Sequence, residues 1–229
     1  MKNLLPFRLF EAQTTSVLTP DQEEFLNRYT KGTWSVNPET GLADVSGNFD
    51  CSRRELKSLQ GVSLGQVNGY FNCGNNQLTN LAGAPQKVNG FFLCHYNQLT
   101  TLEGAPRTVG GIFHCYNNQL TSLVGAPQTV GGHFSCDAFE LEQGEWNPSG
   151  WLKVLSTGNA AAQKLILTLP YLQPDWWNSE LQRDPGKTVH LLAPWWNHMP
   201  EEIKSGIVIP PGYEDEFGLF SGFNELGLF

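Results

Sequence analysis

The chain has 229 residues, enough for one or two domains with a hydrophobic core, and only 16% of them are charged. Lysine and arginine number 14 against 22 aspartates and glutamates, a net charge of −8. This balance argues against binding to nucleic acid or to an anionic membrane surface, because both present phosphate groups. No stretch approaches the roughly 20 apolar residues of a transmembrane helix. Pro6 and Arg8 interrupt the apolar run at the N-terminus, which makes it a poor secretory signal.

Residues 1–44 are predicted to form an N-terminal segment and a cap. Thr19 suits the N-cap of a helix, Pro20 suits its first position, and Gln22 can complete a capping box. These signals predict a helix that runs to about Tyr29. A hairpin follows over residues 34–45, with an Asn-Pro-Glu-Thr-Gly turn between its two strands. Helix and hairpin together should cover the open end of the hydrophobic core that the following residues form.

A repeat of 21 or 22 residues dominates the middle of the chain. Its unit reads V-x-G-x-F-x-C-x-x-N-x-L-x-x-L-x-G-A-P, and its phase is marked by the five cysteines of the chain, Cys51, Cys73, Cys94, Cys115 and Cys136. The central part of the unit resembles the leucine-rich repeat, with Phe and Cys at the two strand positions that Leu usually holds. The repeat therefore predicts a parallel solenoid of five units over residues 45–141, with atypical first and last units acting as caps.

Each part of the unit has a predicted place in the coil. The alternation in V-x-G-x-F-x-C predicts one short strand with a buried face, on which Phe and Cys stack on their equivalents in the next coil. In a leucine-rich repeat the asparagine turns inward and bonds free main-chain groups, which we expect of Asn76, Asn97 and Asn118. Because no Cys-x-x-Cys pair occurs, we expect the five thiols to be buried and reduced rather than paired or metal-bound.

Residues 142–229 are predicted to form a helical region with an apolar tail. The tail beyond residue 207 is expected to dock on a partner or on its own domain. The Trp176-Trp177 and Trp195-Trp196 doublets belong either to a small helical core on the last repeat or to an aromatic ligand site. The predicted helices cover residues 147–158 and 160–169, with shorter ones near 175–182, 187–192 and 201–204.

Residues 184–188 contain Gly-Lys-Thr, as a phosphate-binding loop does. The loop needs a glycine five residues before the Gly186 of this motif, and Leu181 stands there. We therefore interpret the segment as the turn that begins a helix.

The predicted binding surface lies on the exposed face of the solenoid sheet. The positions that alternate with Phe and Cys vary between units, which is how a repeat scaffold carries a specific surface. Between Val67 and Cys136 the only charged residues are Lys87, Glu103 and Arg107, so the middle of this face should be an apolar protein interface. We predict that the partner-binding residues are Tyr70, Phe91, Leu93, His95, Ile112, His114, Tyr116 and His133.

Three histidines of this face, His95, His114 and His133, fall on a diagonal. Diagonal steps of roughly 7–8 Å strain a shared metal site, so no metal is expected there. A pH-sensitive contact remains open.

The repeat units resemble those of leucine-rich-repeat proteins encoded by tailed bacteriophages, and the resemblance covers about Thr33 to Leu141. It implies no catalytic residues. The reduced cysteines predict a reducing location, the virion or the host cytoplasm. Leu9-Phe10-Glu11 followed by Ala12 is also similar to the cleavage site of prohead proteases in large tailed phages. Glu11 and Ala12 are therefore a candidate cleavage site; the alternative is an amphipathic start that packs on the cap.

We expect an α+β protein, a short leucine-rich-repeat-like parallel β solenoid with an N-terminal helix and hairpin cap and a C-terminal helical region. Its expected function is non-enzymatic binding of a protein, in a virion or on a host target, with no cofactor. One alternative is a structural capsid or tail ornament. Another is an enzyme like the bacterial secreted ubiquitin ligases, which join a short leucine-rich repeat to a helical domain. Their nucleophile is a cysteine in the helical part, and no cysteine follows Cys136 here.

Overall fold

The computed structural model describes residues 18–196 and 199–218. Its centre is a parallel β solenoid with helical segments at both ends, which confirms the predicted α+β class. Each coil contributes two short strands, so the prediction of one continuous strand was wrong. In one coil, Lys87–Val88 and Phe92–Leu93 lie on either side of a bend at Gly90. A Cβ atom at Gly90 would lie 2.8 Å from the carbonyl oxygen of Gly69, so glycine is what lets successive bends stack.

The two strands of each coil belong to different sheets. Sheet A contains, in spatial order, β1 (Thr30–Lys31), β4 (Asn48–Asp50), β6 (Phe71–Asn72), β8 (Phe92–Leu93), β10 (Phe113–His114), β12 (Phe134–Ser135) and β13 (Glu140–Leu141). Sheet B contains β11 (Thr129–Val130), β9 (Thr108–Val109), β7 (Lys87–Val88), β5 (Leu64–Val67), β3 (Ala43–Val45) and β2 (Trp34–Val36). Strands of successive coils are parallel, whereas β1, β13 and β2 pair antiparallel at the ends of the sheets.

A column of phenylalanine rings forms the centre of the solenoid. Neighbouring rings are stacked and nearly parallel, with centroids 5.1–5.3 Å apart and interplanar angles of 8–20°. All of these side chains are fully buried. The register of sheet A aligns them, because each phenylalanine pairs with its equivalent in the next coil. The column consists of Phe49, Phe71, Phe92, Phe113 and Phe134.

An asparagine ladder closes the turns that follow Cys73, Cys94 and Cys115, as predicted. The Asn97 amide nitrogen donates to the carbonyl oxygens of Cys73 and Cys94, both at 3.1 Å. Its amide oxygen accepts from the main-chain N–H of Leu78 at 2.9 Å. One buried side chain thus satisfies main-chain groups of two coils.

The five cysteines are buried and unpaired, as predicted. Burial raises the pKa of the Cys51 thiol from 9.0 to about 12, and the charge of Asp50 adds to the rise. Burial is also the main reason why the pKa of the Cys136 thiol is raised to about 11. The thiols are therefore neutral at pH 8 and shielded from solvent.

We expect the native protein to resist a thiol reagent such as dithionitrobenzoate at pH 8, because the reactive form is the exposed thiolate. In denaturant all five thiols should react. Release of the thionitrobenzoate chromophore measures both states, and fast labelling of the native chain would contradict the buried cysteine column.

The predicted N-terminal cap is confirmed in its details. Helix α1 spans Pro20–Tyr29, with Thr19 and Gln22 forming the capping box. The Gln22 side chain also donates to the carbonyl oxygen of Gly61 at 2.8 Å, which ties the helix to the first coil. Phe25 and Tyr29 contact the ring of Phe49. The helix therefore covers one end of the phenylalanine column.

Six α-helices lie in the described residues, five of them C-terminal to the solenoid: α2 (Pro148–Ser156), α3 (Ala160–Ile166), α4 (Pro174–Arg183), α5 (Pro185–Trp196) and α6 (Glu201–Lys204). Short 3-10 turns cover Pro170–Leu172 and Glu214–Phe217. The last helical turn of α5 lies beyond the predicted end, because Val189, Leu192 and Trp195 recur every three residues and are all buried. Helix α3 ends three residues earlier than predicted. No helix in these two ranges is long and apolar enough to cross a membrane.

The tryptophans extend the hydrophobic core of the solenoid into the helical region. The ring of Trp146 stacks on Phe134 with centroids 4.2 Å apart, and Trp151 links Trp146 to Trp195. Trp177 is fully buried as well. The doublets therefore contribute to a helical core packed on the last coil, the first of the two interpretations.

The Gly-Lys-Thr segment begins helix α5. The main-chain N–H of Lys187 donates to a carboxylate oxygen of Asp184, and the buried Thr188 hydroxyl donates to the carbonyl oxygen of Glu180. These groups make the helix-start turn expected from the sequence.

Candidate protein-binding surface

Three columns of side chains run along the outer face of sheet A. The register between neighbouring strands puts equivalent positions of successive coils side by side. The first column precedes the stacked phenylalanines in the chain and contains Asn48, Tyr70, Phe91, Ile112 and His133. The column within the strands contains Asp50, Asn72, Leu93, His114 and Ser135. The column after the cysteines contains Ser52, Gly74, His95, Tyr116 and Asp137.

The eight predicted binding residues differ in their exposure. Phe91, with 47% of its surface exposed, and His133 are open to solvent. The other six are half-buried, because each coil shields part of the next: Tyr70, Leu93, His95, Ile112, His114 and Tyr116. The face is therefore a shallow surface of partly buried rings and aliphatic chains.

Four rings form a cluster at the centre of this face, which we call the ring cluster: His95, Tyr96, His114 and Tyr116. His95 stacks on Tyr116 with centroids 5.1 Å apart and an interplanar angle of 19°. Tyr96 meets Tyr116 edge-on at 5.8 Å, and His114 lies 5.3 Å from Tyr116. The structure thus brings three of the predicted residues together around Tyr116.

Tyr96 is a member that sequence reasoning missed. Strict alternation assigns it to the opposite face, but its φ of 51° is left-handed and breaks the alternation. The equivalent positions, Arg53, Asn75 and Asn117, share this conformation, and asparagine tolerates it well. Half of the tyrosine surface is exposed. A bulky residue in a strained conformation on the surface is a signal of function, and it could have been found by comparing the coils.

Replacing Tyr96 with asparagine, the residue of two neighbouring coils, should change the free energy of unfolding by less than about 1 kcal/mol. Relief of left-handed strain offsets the loss of ring contacts, each worth about 1 kcal/mol. Urea denaturation measures the difference. A loss of several kcal/mol would show that the tyrosine has a structural role.

The two central histidines are neutral at pH 7. Burial lowers the pKa of His95 below 6.5, and the proximity of His114 and Arg53 lowers it further. Burial likewise lowers the pKa of His114, against an opposing effect of Glu140. The ring cluster therefore presents uncharged rings to a partner.

The third histidine has a different environment. His133 Nδ1 lies 2.9 Å from a carboxylate oxygen of Glu142, which follows strand β13. Within residues 18–196 and 199–218, no three His, Cys, Asp or Glu side chains are grouped as metal ligands. Of the three histidines on the diagonal, His95 and His114 therefore contact the Tyr116 ring, whereas His133 contacts the Glu142 carboxylate.

Gly74 and Ser135 alternate with the buried Phe and Cys positions and were therefore expected to be exposed, but both are buried. The ring of His95 covers Gly74, since a Cβ there would lie 2.8 Å from the ring. Strand β13 covers Ser135, whose hydroxyl donates to Glu140 at 2.9 Å. The last strand of the solenoid is therefore shielded by its cap, which the sequence did not predict.

The candidate cleavage site Glu11–Ala12 lies outside the described residues, as does the tail from residue 219. The described part of the C-terminal segment ends near Phe217, which is buried against Trp196 with centroids 4.9 Å apart. This part packs on its own helical region.

No family model, curated protein or solved structure matches the chain.

Proposed function

We propose that this protein is a non-enzymatic binding protein that recognises a protein partner through the ring cluster and the adjacent Phe91. We further propose that it is a phage protein, associated with the virion or directed at a host target. The observation that carries the binding proposal is the concentration of exposed, uncharged rings on a rigid repeat. Phe91 and Tyr96 are about half exposed, and Tyr96 is held in a conformation that costs free energy.

The chemistry of this surface suits a protein partner. Tyrosine is enriched at the centres of protein interfaces, because it buries a large ring with few rotatable bonds to order. The stacked His95 and Tyr116 rings support each other from neighbouring coils. A preorganised surface loses little entropy on binding. The partner should therefore present an apolar or aromatic patch with few charges.

Quantitative affinity capture tests the surface. Phe91→Asp should reduce recovery of the partner at least tenfold, because a carboxylate would be desolvated at the interface. Val124→Asp is the matched control, since Val124 is also an exposed apolar residue, at 40%, but lies outside sheet A. Equal recovery of the partner by both variants would contradict the proposal.

The phage setting has its own test. Mass spectrometry of purified particles should detect the chain if it is virion-associated. Its presence in infected cells but absence from particles would favour a host-directed binder. A fixed, high copy number in particles would instead support a structural ornament.

A further inference from the structure

The open end of the last leucine-bearing coil is covered almost completely. Strand β13 pairs with β12, and the Asp137 carboxylate accepts the main-chain N–H of Asn117 at 2.6 Å. The Leu123 N–H donates to the Thr168 hydroxyl oxygen at 2.6 Å, whereas the equivalent Leu102 N–H of the preceding coil donates to the main-chain oxygen of Val124. Strand β13 and two side chains, of Asp137 and Thr168, thus replace the main-chain partners that a further coil would supply.

Leu120 is the exception. In the preceding coil, the Leu99 N–H donates to the Asn118 amide oxygen at 3.0 Å, and the Leu99 carbonyl accepts the Gln119 N–H at 2.9 Å. At Leu120, neither main-chain group has a hydrogen-bond partner within the described residues. The reason is that Phe139 stands where the next asparagine would be. In the other coils, the asparagine of the next coil accepts the leucine N–H and the residue after that asparagine donates to the leucine carbonyl; Leu120 lacks both partners in the described part of the chain.

A cleft opens over this leucine. It has a volume of about 340 Å³ and lies between the last turn of the ladder and helix α3. Leu120, Ala161 and Leu165 contribute apolar walls, and Lys164 places a cation at the side. The cleft thus offers one main-chain donor, one main-chain acceptor, an apolar surface and the positive charge of Lys164; the Asp137 carboxylate in its lining already accepts the N–H groups of Asn117 and Asn118.

The C-terminal segment repeats the pattern of a coil. Asn-x-Leu occurs outside the coils at Asn3 and at Asn224. The two sites differ in their surroundings. Around Asn224, but not around Asn3, the flanking residues have the same order and spacing as in a coil: apolar, small, Asn, Leu, apolar. Leu219, Ser221, Asn224, Leu226 and Phe229 correspond in spacing to Phe92, Cys94, Asn97, Leu99 and Leu102. The tail therefore has the sequence of a degenerate sixth turn.

We propose that residues 219–229 of the same chain dock in the cleft and complete the ladder. The Asn224 amide oxygen accepts the Leu120 N–H, the Glu225 N–H donates to the Leu120 carbonyl, and Leu226 packs on the Leu120 side chain. Glutamate replaces the glutamine of the coils at position 225, and Lys164 provides the complementary charge. Asn224 lies six positions after Gly218, a reach of about 20 Å when extended.

Hydrogen exchange of the Leu120 amide in the full chain tests this proposal without any partner. Asn224→Ala should accelerate exchange of that amide at least tenfold, whereas the control Asn3→Ala should leave it unchanged. Glu225→Lys should have the same direction of effect as Asn224→Ala. Combining it with Lys164→Glu should restore slow exchange, which simple unfolding would not allow.

Three results would overturn the proposal. The first is fast exchange at Leu120 in the unaltered chain, or slow exchange that Asn224→Ala leaves unchanged. The second is loss of protection in Asn3→Ala, which would assign the cleft to the N-terminal segment. The third is protection that grows with protein concentration, which would assign it to a second copy. None of these outcomes bears on the ring cluster, so the two proposals fail independently.

Discussion

Replacing Phe92 with alanine should lower the free energy of unfolding by about 3–5 kcal/mol. Phe92 is fully buried between Phe71 and Phe113, with ring centroids 5.3 and 5.1 Å away. The substitution leaves a cavity whose walls are held by neighbouring coils and cannot close easily. It also interrupts a ring column that runs through every coil, so both halves lose a stacking partner. Urea denaturation measures the loss.

Phe91 provides the matched control for that experiment. It neighbours Phe92 in the chain but is 47% exposed, so Phe91→Ala should change stability by no more than about 0.5 kcal/mol. Equal effects of the two substitutions would show that the ring column does not hold the coils together. Because both variants remove the same atoms, the contrast isolates the effect of burial from the effect of side-chain size.

Asn97→Ala should cost about 2–4 kcal/mol, although it removes only a small polar group. The Asn97 amide satisfies the carbonyl oxygens of Cys73 and Cys94 and the N–H of Leu78. Alanine leaves the Leu78 N–H buried without a partner, which costs about 1–3 kcal/mol, and it removes one of the two donors to each carbonyl oxygen. The Cys73 and Cys94 carbonyl oxygens keep one donor each, from Asn76 and Asn118, so most of the loss falls on the Leu78 N–H.

The control for the ladder is Asn89→Ala. Asn89 is exposed and makes one side-chain hydrogen bond, to Asn68 at 3.3 Å. Its replacement should be nearly neutral. A small effect of Asn97→Ala, close to that of Asn89→Ala, would mean that water or a rearranged turn replaces the ladder.

The repeated positions were the predictable part of this fold. Phe92 and Asn97 recur in register along the chain, so their stacking and ladder roles could be predicted from spacing. The split of each strand into two sheets could not, because the bend at Gly90 depends on how closely coils approach. The sequence pattern alone does not give the distance between the main chains of neighbouring coils.

The binding surface was predicted only in part, for physical reasons. Alternation located His95, His114 and Tyr116, but it missed Tyr96. The left-handed backbone conformation of Tyr96 breaks the alternation of side chains between the two faces of the strand. Alternation also predicted that Ser135 is exposed. Strand β13 covers this residue, and a strand of two residues has no periodic signal from which it could be predicted.

The affinity of the Tyr96→Asn variant for the captured partner tests the central claim most directly. Since asparagine already occupies this position in two coils, the variant removes the ring while keeping the backbone conformation. If the ring cluster is the centre of the interface, the dissociation constant should rise about 30-fold or more, with unchanged stability. An unchanged dissociation constant, measured by titration calorimetry on the folded variant, would contradict the assignment of this surface.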